Sequence, residues 1–110
     1  MGAFVITKRT NGEFQFSLKA GNGQTILASE GYSSKSNCEN GVESVKTNSQ
    51  IDERFENKTS SNGKHYFTLK ASNGQIVGTS EMYESPSSRD NGIASVKTNA
   101  KDAKIDDQTT

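Results

Sequence analysis

The feature that most constrains this chain is an internal duplication. When the sequence is shifted against itself by 51 positions, residues 4–48 align with residues 55–99 without a gap, and 22 of the 45 aligned pairs are identical. A long regular repeat of this kind indicates one structural unit that packs against its own copy. We therefore expect a single domain over residues 1–110, built from repeat 1 (4–48), repeat 2 (55–99) and a C-terminal strand or tail (100–110).

Each repeat has the pattern of three strands followed by a helix. In repeat 1, Phe14, Phe16 and Leu18 alternate with polar residues, which is typical of a strand with one buried face. Asn-Gly pairs stand on both sides of this strand and recur in repeat 2, and they predict type I′ hairpin turns. The strands expected beside it span residues 4–8 and 24–29 in repeat 1, and 55–59 and 75–80 in repeat 2.

The helix of each repeat should begin at a serine cap. Ser34 and Ser85 are favoured cap residues, and Pro86 suits the first helical position. A start at Ser36, with Glu39 three residues later, is an alternative because it would form a capping box.

An apolar stripe indicates which face of each helix is buried. Cys38, Val42 and Val45 recur at helical spacing, and repeat 2 conserves part of this stripe. The stripe also contains Gly41, whose copy is Gly92, so a close approach between helix and sheet is expected. The asparagine that ends each repeat is a candidate left-handed C-cap.

Composition is compatible with a thin but real core. Only 29% of the residues are hydrophobic, but 13 basic and 13 acidic side chains cancel, whereas disordered chains combine low hydrophobicity with high net charge. The balanced charge also argues against a dedicated nucleic-acid or membrane partner. One cysteine and one histidine can form neither an internal disulfide nor a structural zinc site.

The repeated motifs resemble those of a known family. The residues concerned are Asn11-Gly12, Phe16-x-Leu18-Lys19-Ala20, Asn22-Gly23, Ser29-Glu30-x-Tyr32 and the block from Asn40 to Lys46, all present twice. In this order they resemble the YegP-like family of small bacterial proteins. The resemblance implies an α+β fold of two tandem β-β-β-α(-β) repeats. It also implies that the repeats form one mainly antiparallel, pseudo-two-fold symmetric sheet, with both helices on one face and C-terminal strands exchanged between the halves. The resemblance implies no activity.

Catalysis has weak support in the sequence. Cys38 and His65 are the only candidates for a cysteine–histidine pair, but both fall at expected core positions and neither is duplicated. Glu30 and Glu81 are duplicated, and a small enzyme using these carboxylates or His65 in a groove between the repeats is the alternative function. We expect no catalytic site, no cofactor and no bound metal.

A binding or accessory module is the favoured function. The sheet face opposite the helices should present polar side chains from both repeats, and these form the candidate binding surface: Gln15, Ser17, Lys19, Tyr66, Thr68 and Lys70. Leu27 is a further candidate on this face. The sequence does not identify the partner of this surface, which could be a protein or a small ligand. Weak binding of single-stranded nucleic acid is the remaining alternative. We further expect a cytoplasmic protein without a membrane partner, because no apolar stretch approaches the length of a membrane span and the first eight residues do not form a signal-peptide pattern. We expect a monomer, because duplication can make an ancestral dimer intramolecular.

Overall fold

The computed structural model describes residues 2–109, which form seven strands and two helices. In chain order these are β1 (Ala3–Lys8), β2 (Phe14–Lys19), β3 (Thr25–Ala28), α1 (Lys35–Asn48), β4 (Phe55–Thr59), β5 (His65–Lys70), β6 (Ile76–Thr79), α2 (Pro86–Asp102) and β7 (Lys104–Asp107). A single 3-10 turn, Asp52–Arg54, precedes β4. The expected α+β fold of two tandem units is confirmed.

The strands form one sheet in the order β4-β5-β6-β3-β2-β1-β7. All neighbours are antiparallel except β7, which follows α2 but pairs in parallel with β1 at the far end of the sheet. The expected exchange is therefore present for β7, whereas the segment that follows α1 forms the 3-10 turn and then β4, which pairs with β5 of its own repeat. Helix α1 also packs on β5 and β6 of the second half, and α2 packs on β1, β2 and β3 of the first half, so the two units share one core.

The four Asn-Gly turns are not of type I′. Only the glycines have positive φ, as at Gly12 (89°) and Gly23 (85°), whereas type I′ requires it of both central residues. In the first turn the Gly12 N–H donates to the Arg9 carbonyl, and the Asn11 Oδ1 accepts from the Glu13 N–H at 3.0 Å. The asparagine side chain therefore supports a type I turn followed by a left-handed glycine, repeated at each hairpin.

Both helices begin at the expected serine caps. The Oγ of Ser34 accepts from the backbone of Asn37, and the Oγ of Ser85 accepts from that of Ser88, both at 3.1 Å, so the Ser36 start is wrong. The left-handed C-caps are also wrong. The side chain of Asn48 instead donates back to the Ser44 carbonyl at 2.8 Å, the copy does the same, and α2 continues to Asp102.

The repeated helix glycine makes room for a tyrosine. A β-carbon added at Gly41 would lie 2.9 Å from Cζ of Tyr32, and one at Gly92 would lie 2.7 Å from Cζ of Tyr83. The Tyr32 ring in turn stacks on Phe16, with 6.2 Å between ring centroids. The close approach predicted at the glycine is therefore made by an aromatic side chain that joins sheet and helix.

Leu27 lies in the core rather than on the open face. It pairs with Leu18 and is fully buried. Its repeat counterpart, Gly78, lies beside it across the centre of the sheet, where an added β-carbon would be 2.6 Å from Cδ2 of Leu27. Since the two equivalent positions face each other near the pseudo-two-fold axis, one large side chain fills the space for both.

Candidate functional site

The six predicted surface residues all lie on the sheet face that the helices leave uncovered. Strand register decides this: Gln15, Ser17 and Lys19 are opposite Thr7, Val5 and Ala3, whereas Phe16 and Leu18 point into the core. Tyr66, Thr68 and Lys70 hold the equivalent positions on β5. Because β3 and β6 separate β2 from β5, the two sets are about 14 Å apart, three strand spacings.

Not all six side chains are equally available. Thr68 is only 3% exposed, and its Oγ1 has no hydrogen-bond partner within residues 2–109. The other five are half-buried between their neighbours on the sheet. The accessible part of this face therefore consists mainly of amide, phenol and ammonium groups.

The two duplicated lysines differ in their surroundings. The Nζ of Lys70 lies 3.2 Å from one oxygen of Glu56, whose other oxygen lies 2.6 Å from Lys58. The hydrogen bond from Lys58, followed by that from Lys70, lowers the pKa of the Glu56 carboxyl. Repeat 1 has Val5 at the position of Glu56, and Lys19 has no carboxylate at ion-pair distance among the residues described. Of the two duplicated lysines, Lys19 is therefore the one without a nearby counter-charge.

A groove of about 740 Å³ opens elsewhere, between the two repeats. One wall is formed by the segment before α1 and by α1 itself, and the other by the β5–β6 hairpin and the start of β6. The lining residues include Glu30, Tyr32, Asn40, Gln75, Ile76 and Val77. Burial raises the pKa of the Tyr32 phenol, with smaller contributions from Cys38 and Glu30.

A smaller groove of about 350 Å³ lies at the equivalent place in the other half. It is lined by Gln24, Thr25, Ile26, Glu81 and Tyr83. The repeat relation pairs Glu81 with Glu30 and Tyr83 with Tyr32, so the duplication has produced two related grooves. Neither was predicted in this form, although the repeated Glu-x-Tyr motif beside each helix start was visible in the sequence.

The geometry does not bring the proposed catalytic groups together. Glu30 and Glu81 line different grooves, and His65 lines neither. Cys38 is fully buried, and burial raises the pKa of its thiol, with smaller contributions from Glu39 and Asp107. His65 instead forms a backbone bridge with Tyr83. Within residues 2–109 there is no cluster of three or more potential metal ligands, and neither helix is long and apolar enough to cross a membrane.

Comparison with known proteins explains the doubled architecture. The family model described as "Domain of unknown function (DUF1508)" matches the chain twice, at residues 10–56 and 60–107. The chain belongs to this family. The first matched segment covers β2, β3 and α1 and ends at the second residue of β4, and the second covers β5, β6, α2 and β7.

Relatives of similar length share about half of the sequence. The chain is 53% identical over 108 residues to UPF0339 protein YegP of Escherichia coli K12, covering 98% of each chain. It is 59% identical over 104 residues to a UPF0339 protein encoded in the 5′ region of the ptx operon of Stutzerimonas stutzeri, covering 94% of each. The resemblance to the YegP-like family is therefore confirmed, and no specific function comes with it.

Solved structures of the family have the same fold. The solution NMR structure of a UPF0339 protein from Shewanella oneidensis superposes with a TM-score of 0.93 at 52% identity, covering 98% of this chain and 92% of that one. The NMR structure of YegP from E. coli, titled a protein of unknown function, also gives 0.93, at 53% identity, covering 98% and 93%.

Proposed function

We propose that this chain is a non-enzymatic binding module whose working surface is the open sheet face around Lys19. The single observation that carries this proposal is the uncompensated charge of Lys19 on a polar face that neither helix covers. The dispersed positions of Glu30, Glu81, His65 and the buried Cys38 favour binding over catalysis.

The partner that best fits this face is an acidic segment of a protein. Lys104 on β7 lies opposite Ala3, which lies opposite Lys19, so two lysines share one row of the sheet about 10 Å apart. Neither lysine has a carboxylate at ion-pair distance within the described part of the chain. A flexible acidic peptide can meet both charges, and the polar side chains of Gln15 and Ser17 beside them can donate or accept hydrogen bonds.

Single-stranded nucleic acid fits this face less well. Strand-binding surfaces combine a basic groove with stacked aromatic side chains. Here the one aromatic of the set, Tyr66, lies beside the Glu56–Lys58 pair at the other end of the sheet. We also propose a cytoplasmic location, because the one cysteine is a free, buried thiol, as is common in reducing compartments.

Binding of a labelled decaglutamate peptide tests the proposal, with a single-stranded oligothymidylate as the competing probe. Fluorescence anisotropy at low salt should show peptide binding that Lys19→Glu weakens by about fivefold or more, since one ion pair contributes on the order of 1 kcal/mol. Lys101→Glu is the matched control, because it makes the same charge change at an exposed position on α2 and should shift Kd less than twofold.

Two results would overturn this assignment. One is equal binding by the Lys19 and Lys101 variants, or no peptide binding at low salt. The other is tighter binding of the oligothymidylate than of the peptide, which would favour the nucleic-acid alternative.

A further inference from the structure

We propose that the larger groove, between α1 and β6, is a binding site for an extended peptide segment that carries a basic side chain. This site is separate from the open sheet face, and three features of the groove support it: an unpaired strand edge, a lone negative charge and an apolar wall.

The strand edge arises because the two central strands barely pair. Strand pairing between β3 and β6 is confined to Ala28 and Thr79, so among the described residues the first part of each strand has no strand paired with it on that side. Ile76 and Val77 of β6 line the larger groove, and α1 forms the opposite wall. A strand edge facing a helix across a groove is the arrangement into which an extended peptide can be added by main-chain hydrogen bonds.

The negative charge of the groove favours a basic side chain on the bound peptide. Glu30 is the only charged residue in its lining, and the other polar groups are neutral amides and hydroxyls such as those of Asn40, Ser44 and Gln75. Glu30 is exposed and forms no ion pair with any described residue, so its carboxylate is free to accept hydrogen bonds from a lysine or arginine. No basic residue lines this groove, although Arg9 lies next to Gly31, and this distinguishes the groove from the surface around Lys19.

Apolar surface on the β6 side gives the peptide a second anchor. Ile76 is 42% exposed, one of three large hydrophobic residues that are exposed in the described structure. Ile76 and the half-buried Val77 are consecutive in β6 and point to opposite faces, so they can contact successive side chains of an added strand. A volume of about 740 Å³ is within the range of established ligand sites, roughly 300–1,000 Å³.

The second groove repeats the design in a reduced form. It keeps one carboxylate, Glu81, and one tyrosine, Tyr83, but Thr25 replaces Ile76 and the volume is about half. It should therefore bind the same peptides more weakly.

The test uses a fluorescein-labelled hexapeptide in which valine and lysine alternate. A second hexapeptide, with proline in place of valine, carries the same charge but loses the backbone N–H groups needed for strand pairing. By anisotropy, the valine peptide should bind wild-type protein about fivefold or more tightly than the proline peptide. Glu30→Gln should weaken valine-peptide binding by a similar factor, and Glu81→Gln should weaken it less.

A structural readout locates the binding. In 1H–15N NMR spectra the valine peptide should shift the amide signals of Ile76 and Val77, and the Glu30→Gln spectrum should otherwise match that of the wild type. Glu53→Gln is the matched control, because it makes the same charge change at an exposed carboxylate that lines neither groove and should leave binding of this basic peptide unchanged.

Equal Kd values for wild type and Glu30→Gln would overturn the site. Equal binding of the valine and proline peptides would overturn strand addition and leave only a cation-binding carboxylate. Neither result bears on the acidic peptide, so the two proposals can fail independently.

Discussion

Replacing Gly78 by alanine should destabilise the native protein, but the same change should stabilise a variant from which the Leu27 side chain has been removed. The three atoms nearest to an added β-carbon at Gly78 all belong to Leu27, at 2.6, 2.7 and 3.2 Å. In the wild type the new methyl group therefore overpacks the core, at a cost of roughly 1–3 kcal/mol.

Removing the Leu27 side chain reverses the sign of the effect that Gly78→Ala has on stability. Leu27→Ala alone should cost on the order of 3 kcal/mol, because the side chain is fully buried. In that background the methyl group at position 78 enters the vacated space. Burying it contributes about 0.8 kcal/mol, and replacing glycine in an ordinary strand conformation adds about 0.4–1 kcal/mol through the unfolded state. The unfolded-state contribution is the same in both backgrounds and cancels, so the expected coupling is the overpacking cost plus the gain from burial, about 2–4 kcal/mol.

Urea unfolding of the wild type, both single variants and the double variant measures this coupling. Ile6→Ala combined with Gly78→Ala is the control, since Ile6 lies three strands away and should add independently, within about 0.5 kcal/mol. If Gly78→Ala has the same effect with and without Leu27, the two residues do not share one space and the reasoning is wrong.

Two further predictions concern the exchanged strand β7. A chain that ends at Ala103 should lose on the order of 2 kcal/mol and about 10 °C in Tm, because it loses the pairing with β1; an unchanged Tm would show that β7 is not structural. The hydrogen bond from Lys35, followed by two from Thr109, lowers the pKa of Asp107 from 3.8 to about 2. A pKa that is lower in the folded state stabilises the protein above about pH 4, and this contribution is lost as the pH falls towards 2. Asp107→Asn should therefore flatten the fall in Tm over that interval, and an unchanged pH profile would contradict the role of this pair.

Local patterns predicted the elements well because they act over a few residues. The serine caps at Ser34 and Ser85 and the buried stripe through Val42 and Val45 depend only on neighbouring positions, and the structure contains all of them. The turn type was missed for a local reason too. The side-chain oxygen of Asn11 accepts a hydrogen bond from the backbone N–H of Glu13, which allows a longer loop than type I′.

Features created by the meeting of the two repeats could not be predicted in the same way. The alternation around Leu27 is compatible with either face, and only its proximity to Gly78 across β3 and β6 shows why it is buried. The grooves also arise where these two strands part, at a contact between residues far apart in sequence. Lys70 has a carboxylate partner and Lys19 does not, and this difference depends on Glu56, which belongs to a neighbouring strand.

The exchanged strand β7 also affects when the sheet can be completed during synthesis. Strand β1 is synthesised before the other six strands, yet its outer edge is covered only by residues 104–107, about 100 residues later in the chain. Until those residues leave the ribosome, the apolar edge around Val5 and Ile6 lacks its neighbour and can pair with other strands. Within residues 2–109 no strand covers the edge of β4, which carries Glu56 and Asn57 at the positions equivalent to Val5 and Ile6. The permanently open edge is therefore polar, whereas the edge that opens only during synthesis has kept its apolar side chains.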